Sequence, residues 1–354
     1  MGKNEKKQLI TFIAVAYGMI VLMSIFMFIG LKGGRDLTAF VNTMMGYPAC
    51  GVMLGLLIFS DKEKPLPRAG FIVFIATVAI MFVVSILSVF LPETMIESAV
   101  GQVSNWNLYT QYVLMAGSVV TYIMFWVCGK EKRKNAGLSR NNIKLSIFMV
   151  VLFIVLYIFR IYLNASVSEL VAGNGLGVLA EINKIVFNPT FAINAVSVII
   201  TFPLSYLAFL GEEYGWRYYF QPVLQKKFGL RLGVVILGLL WGVWHLAADF
   251  MFYTTTTGPQ YLVSQIINCI SLAIFFGYAY MKTHNIWAIA MMHYINNNFI
   301  VLLSGGDVNV LQNQSVSWMQ LPLMVIMNLV FILFIFSPVY NKKPETDDAE
   351  TKTA

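Results

Sequence analysis

Charge is what this chain has least of. Only 12% of its 354 residues are Asp, Glu, Lys or Arg, about half the share of an ordinary soluble domain. With 58% hydrophobic residues, that scarcity excludes a solvated globular chain. Cysteine is almost absent. Cys50, Cys128 and Cys269 lie in or beside apolar segments without metal-ligand spacing and read as small apolar fillers. Acids are fewer than bases, 17 against 24, yet the positive balance does not imply a nucleic-acid partner. The Lys and Arg residues sit in short loops between apolar runs, where they set membrane orientation. No small-residue cleavage site follows the first apolar run, so it reads as a span rather than a signal peptide. Lys6 stands where a myristoylation signal needs Ser or Thr.

What is present is a succession of apolar runs of membrane-crossing length, about 17–25 residues each. The runs are 9–31, 38–59, 70–91, 109–128, 145–163, 191–212, 232–250, 262–281, 287–304 and 318–338. They predict an all-α fold: a polytopic bundle of about ten transmembrane helices in a lipid bilayer, in the cell membrane. Alternate loops carry the bases, among them Lys62, Lys64 and Arg68, then Lys130 to Lys144, Lys226 to Arg231, and Lys282. The intervening stretches 92–108, 251–261 and 305–317 have no Lys or Arg. By the positive-inside rule both termini are cytoplasmic. Lys32, Arg35 and Lys184 run against the pattern.

The chain divides by chemistry. Residues 1–189 hold about five spans almost free of charge and read as a scaffold. Arg160, near the outer end of the fifth, reads as an anchor that snorkels to the interface. Segment 164–189, with Gly173, Gly175 and Gly177, reads as an external or re-entrant loop. Residues 190–304 hold four spans and the chemistry, 305–341 a final helix, and 342–354 a polar tail expected to be disordered.

Polar residues concentrate in 190–304. Leu210 to Tyr218 places Glu212, Glu213 and Arg217 at the end of an apolar run. A charge at mid-bilayer costs about 2.5–3.5 kcal/mol and usually faces a bundle interior or cavity. Adjacent helical residues point about 100° apart while positions four apart share a face. Glu213 can therefore pair with Arg217, and Glu212 is turned away toward other groups. Two of only three histidines, His245 and His293, also lie inside apolar spans. Each of the three groups lies roughly 16–21 Å along its helix from a basic flank, so they can meet in one layer. Asn297, four after His293, shares its face; Trp241, four before His245, can wall the same cavity. Asp249 reads as the outer boundary of its span, and His284 as a solvated loop residue.

One free carboxylate, two imidazoles and a carboxamide suit the activation of water against a carbonyl. The histidines could bind a metal or act through hydrogen bonds. His245, His293 and Glu212 could supply three ligands to one zinc ion, although no His-Glu-x-x-His motif is present.

These residues carry a resemblance. Glu212-Glu213-x-x-x-Arg217, Trp241-x-x-x-His245 and His293-x-x-x-Asn297 resemble the three motifs of the CPBP family. That family holds the type II CAAX prenyl endopeptidases and the bacteriocin-processing or immunity (Abi) proteins. Two positions depart from the family pattern: Trp241 where Phe is common, and Tyr218 where Gly often follows the Arg. The resemblance implies an intramembrane endopeptidase with a cavity open to the cytoplasm. It also implies that Glu212 activates water, that His245, His293 and Asn297 position it or stabilise the oxyanion, and that Glu213 and Arg217 support the motif helix. The substrate would be a membrane-associated peptide or protein: an isoprenylated CaaX tail, a leader peptide or a pheromone. The alternative is a non-catalytic binding protein such as a bacteriocin-immunity factor. Proton-coupled transport is disfavoured because residues 1–189 hold no matching polar set.

Overall fold

The computed structural model describes residues 2–61, 63–98, 101–172, 177–306 and 310–341. The tail predicted to be disordered, 342–354, lies outside the described residues. Helices account for nearly all regular structure, and the protein is an integral membrane helical bundle. In chain order they are α1 (Lys3–Lys32), α2 (Thr38–Met44), α3 (Tyr47–Phe59), α4 (Arg68–Phe90), α5 (Asn105–Val127), α6 (Lys130–Asn135), α7 (Ile143–Ala172), α8 (Gly177–Val186) and α9 (Pro189–Glu213). A π-helical segment, Tyr214–Phe220, joins α9 to α10 (Gln221–Phe228). Then come α11 (Leu230–Trp244), α12 (Leu246–Ala248), a second π segment (Asp249–Tyr253), α13 (Gly258–Thr283), α14 (Ile286–Leu303) and α15 (Gln320–Ile332). A short antiparallel hairpin, β1 (Met95–Ser98) with β2 (Gly101–Ser104), links α4 to α5.

All ten segments expected to span are helical, but not all are full spans. Among the described residues, eight helices are long and apolar enough to cross a membrane. The seventh expected span is broken: Leu230–Trp244 and Leu246–Tyr253 meet at 42°. The tenth is a shorter apolar helix, Gln320–Phe336. Segment 164–189 is not a plain loop, because α7 continues to Ala172 and α8 forms beyond it. Val178, Leu179, Ile182 and Ile185 recur there with helical spacing, a signal that the neighbouring glycines obscure. Large apolar side chains such as Phe28, Ile80, Phe148 and Ile200 are exposed around the bundle. In water such a belt would be a liability; in lipid it needs no cover.

The loops sort to two ends. At one, the basic stretches meet: Asn135 Nδ2 donates to the Pro65 carbonyl at 3.1 Å and Asn141 Nδ2 to that of His284 at 2.9 Å. At the other, the Gln314 amide donates to the Tyr253 carbonyl at 2.7 Å and Ser104 Oγ to Asp36 Oδ2 at 2.8 Å.

Two close approaches position the polar layer. Gly211 and Gly215 bracket the glutamates and lie against the backbone of Met45, Gly46 and Pro48, where α2 gives way to α3. A methyl at either would collide with that backbone, so contact with α3 sets the depth of the acids. Gly238 and Gly242, a small-x-x-x-small pair, press α11 onto the backbone of Ile266 and Ile270 in α13. Aromatic donors then tie the first half to the second. Tyr17 Oη donates to the Leu240 carbonyl at 3.1 Å, Trp244 Nε1 to that of Ala16 at 2.8 Å, and Tyr206 Oη to that of Ser118 at 3.1 Å.

Candidate active site

Glu212 and Glu213 close α9 where the i→i+4 ladder widens into the first π segment, and His245 sits at the break after α11. Such irregularities inside helices recur at functional sites. Glu213 and Arg217 form the predicted pair, 3.0 Å apart with both side chains fully buried. The Arg217 guanidinium lies 4.1 Å from the Trp241 ring centroid and 5.2 Å from that of Phe276. Its Nε and Nη2, like Glu213 Oε2, have no hydrogen-bond partner among the described residues. One carboxylate oxygen and two aromatic faces hold the cation.

Glu213 has a second role that the sequence reading missed. Its Oε1 lies 2.7 Å from His293 Nδ1. Helical geometry on α9 separates the faces of the two acids correctly. It does not reveal that α14, which packs along α9, brings His293 to the Glu213 side.

Glu212 Oε2 accepts a hydrogen bond from Trp241 Nε1 at 2.7 Å. Trp241 is therefore more than a wall. It binds one acid, stacks on the cation paired with the other, and lies 6.0 Å from the His245 ring and 5.6 Å from that of His293, centroid to centroid. The sequence signal was the indole itself, since a Phe could offer the ring but no N–H.

Tautomers follow from the partners. His245 Nδ1 lies 2.9 Å from the Trp241 carbonyl, and a carbonyl only accepts, so Nδ1 carries the hydrogen. The same holds for His293 Nδ1 against the Glu213 carboxylate. Each ring keeps Nε2 without a protein partner among the described residues. Asn297 Oδ1 accepts from Asn296 Nδ2 at 3.0 Å, which leaves the Asn297 amide hydrogens available to a ligand.

Glu212, Trp241, His245, His293 and Asn297 all line one cavity of about 540 Å³, within the size range of small-ligand sites. Glu213 and Arg217 do not line it; they sit behind. A second cleft of about 690 Å³ lies between α5, α7, α9 and α14, is mostly apolar, and holds none of the site residues.

The cavity runs from the Glu212 layer toward the lysine-poor end, past Asn42, Asn107, Asn164 and Leu311. Two expectations change here. Asp249 is no boundary residue: the bend at His245 and the second π segment carry it inward against α13. It is fully buried, with neither carboxylate oxygen bonded. Arg160 does not snorkel away but lines the same cavity. His284 is exposed, as expected.

Among the described residues no group of three His, Cys, Asp or Glu side chains gathers to hold a metal ion.

Fold and cavity define a class: an integral membrane protein whose intramembrane polar layer is suited to acid–base chemistry. The comparisons sharpen it. Residues 194–299 match the Rce1-like family, described as type II CAAX prenyl endopeptidase Rce1-like. The matched stretch runs from α9 into α14 and includes Glu212, Glu213, Arg217, His245, His293 and Asn297. It supports a membrane protease with a peptide or protein substrate. No curated protein and no solved structure matches the chain.

Proposed function

We propose that this protein is an intramembrane endopeptidase that hydrolyses a peptide bond in a membrane-associated peptide or protein, with Glu212 as general base. One observation carries the reading: Glu212, two imidazoles with free Nε2 atoms and the Asn297 amide share a single cavity. Water held between Glu212 and His245 Nε2 attacks the carbonyl carbon and gives its proton to Glu212. The Asn297 N–H donates to the developing oxyanion. As the C–N bond breaks, the leaving nitrogen takes the proton held by Glu212, directly or by relay through His293 Nε2, whose transient cationic form the Glu213 carboxylate stabilises. Trp241 holds the base in place, and Glu213 fixes the His293 tautomer. Asn297 supplies the amide for the oxyanion, and His293, backed by the Glu213 carboxylate, the imidazole for the leaving group.

The proposal places the basic loops in the cytoplasm and the cavity on the opposite side. Reporter fusions at Lys134 and Lys226 then read cytoplasmic, and fusions at Ser98 and Gly258 read external. An impermeant maleimide labels Asn164→Cys from outside intact cells. Labelling from the cytoplasmic side alone reverses the topology. For the chemistry, purified protein in detergent is incubated with degenerate peptides and the products are sequenced by mass spectrometry. New internal cuts that vanish in Glu212→Gln support the reading, and their absence with a folded protein sinks it in favour of binding alone.

A further inference from the structure

Arg160 stands on α7, the fifth span, in the half of the chain that carries no catalytic motif. It lines the cavity that holds Glu212, His245, His293 and Asn297. None of its contacts among the described residues is acidic. Nη1 donates to Asn328 Oδ1 at 3.3 Å, and the guanidinium lies 4.9 Å from the Tyr157 ring centroid and 5.4 Å from that of Phe331. An amide oxygen and two aromatic faces orient the group without neutralising it. Arg217 makes the contrast plain: it has its own carboxylate at 3.0 Å and is shut out of the cavity.

The neighbours of Arg160 are themselves fixed. Asn328 accepts from Ser271 Oγ at 2.9 Å and donates to Asn268 Oδ1 at 3.0 Å. Tyr157 Oη donates to the Asn296 carbonyl at 3.4 Å, one residue from Asn297. The cation is thus braced between α15 and the part of α14 that carries the amide. A cation inside the membrane layer without an internal counter-charge is costly and marks a functional group.

We propose that Arg160 is a carboxylate subsite of this cavity, reading a substrate anion and setting the register of the peptide across the catalytic layer. The inference rests on the peptidase reading above. The guanidinium offers a planar fork of donors that matches a carboxylate two bonds at a time, and one donor is already spent on Asn328. A peptide can supply the anion from two sources: the α-carboxylate at its C-terminus or an Asp or Glu side chain. Either way the cut falls a fixed number of residues from the anion. Arg160 is a specificity residue here, touching substrate away from the reacting atoms.

The test uses one degenerate decapeptide pool synthesised twice, as free acid and as C-terminal carboxamide. Cleavage is followed with the native chain, and capture is followed with Glu212→Gln, which retains the cavity without the base. Charge-assisted hydrogen bonds of this kind lead to an acid-over-amide preference of about 10- to 100-fold in both measurements. Arg160→Gln abolishes the preference and raises KM more than it lowers kcat, while Arg160→Lys retains part of it. If the amide pool is used equally but becomes enriched in Asp or Glu at one position, and Arg160→Gln removes that enrichment, the anion is a side chain. Equal use of both pools with no acidic enrichment overturns the proposal. So does a preference that survives in Arg160→Gln. The native acid-against-amide comparison stands even if that variant fails to fold. Acid-selective capture without any cleavage keeps the subsite and sinks the hydrolase reading; cleavage without carboxylate preference does the reverse.

Discussion

The half of the chain before residue 189 and the half after it line the same cavity, and they bring different things to it. The second half brings groups that can exchange protons: Glu212, His245 and His293, each tied by one atom and left free by another. The first half brings groups that can hold a chain in place: Asn42, Asn107, Gln111 and Arg160. It also brings the backbone of Met45 and Pro48, against which Gly211 and Gly215 close. The proposed chemistry is therefore carried by one half and its geometry is imposed by both. Calling the first five spans a scaffold describes their charge content and misses their share of the cavity.

That comparison can be broken or sharpened by substitution. The largest effect is expected at Glu212. Glu212→Gln keeps the acceptor for Trp241 and removes the base, so turnover falls about 10²–10⁴-fold with the melting temperature near that of the native protein. A folded, fully active Glu212→Gln would move the chemistry elsewhere. Glu213→Gln comes next and strikes stability first. It strands Arg217 in a buried place, at a cost of about 3–5 kcal/mol in a melting or denaturant experiment. Adding Arg217→Gln recovers part of that stability. Turnover does not recover with it, because His293 still lacks its carboxylate; recovery of both would reduce Glu213 to a brace.

Trp241→Phe keeps the ring over Arg217 and loses only the N–H to Glu212. Hydrogen bonds to charged groups contribute about 1.5–3 kcal/mol, so kcat is expected to drop at least about tenfold with little change in melting. An unchanged kcat would mean that the base needs no such tether. The smallest effect probes the seam between the halves. Tyr17→Phe removes the bond to the Leu240 carbonyl and should lower stability by about 1 kcal/mol while leaving turnover alone. A larger loss of activity than of stability would show that the first half positions α11 more directly than its packing suggests.

The sequence was legible wherever the signal was local. Apolar runs gave all ten helical segments, because burying a backbone in lipid leaves few options but helix. The i,i+4 rule gave the Glu213–Arg217 pair, and spacing gave the faces of Asn297 and Trp241. What escaped was set by packing between helices distant in sequence. No local pattern says that His293 docks on Glu213, or that α15 offers Asn328 to Arg160. The bend at His245 and the π turn after Glu213 also left no mark in hydropathy, since apolar residues populate straight and broken helices alike. Arg160 did leave a signal, a lone charge inside an apolar run. That signal alone does not distinguish an interface anchor from a cavity residue, because the partners lie on distant helices.

The cavity's position at one end of the bundle makes the proposed reaction vectorial. The catalytic layer is lined on one side by Asn42, Asn164 and Leu311, and backed on the other by the sealed pair of Glu213 and Arg217. Water consumed and peptide released exchange with a single compartment. In sealed proteoliposomes of mixed orientation, only the molecules that present the Asn164 end outward can process added peptide. The rest are latent until detergent opens the vesicles, so latency becomes a direct measure of which way the protein was inserted.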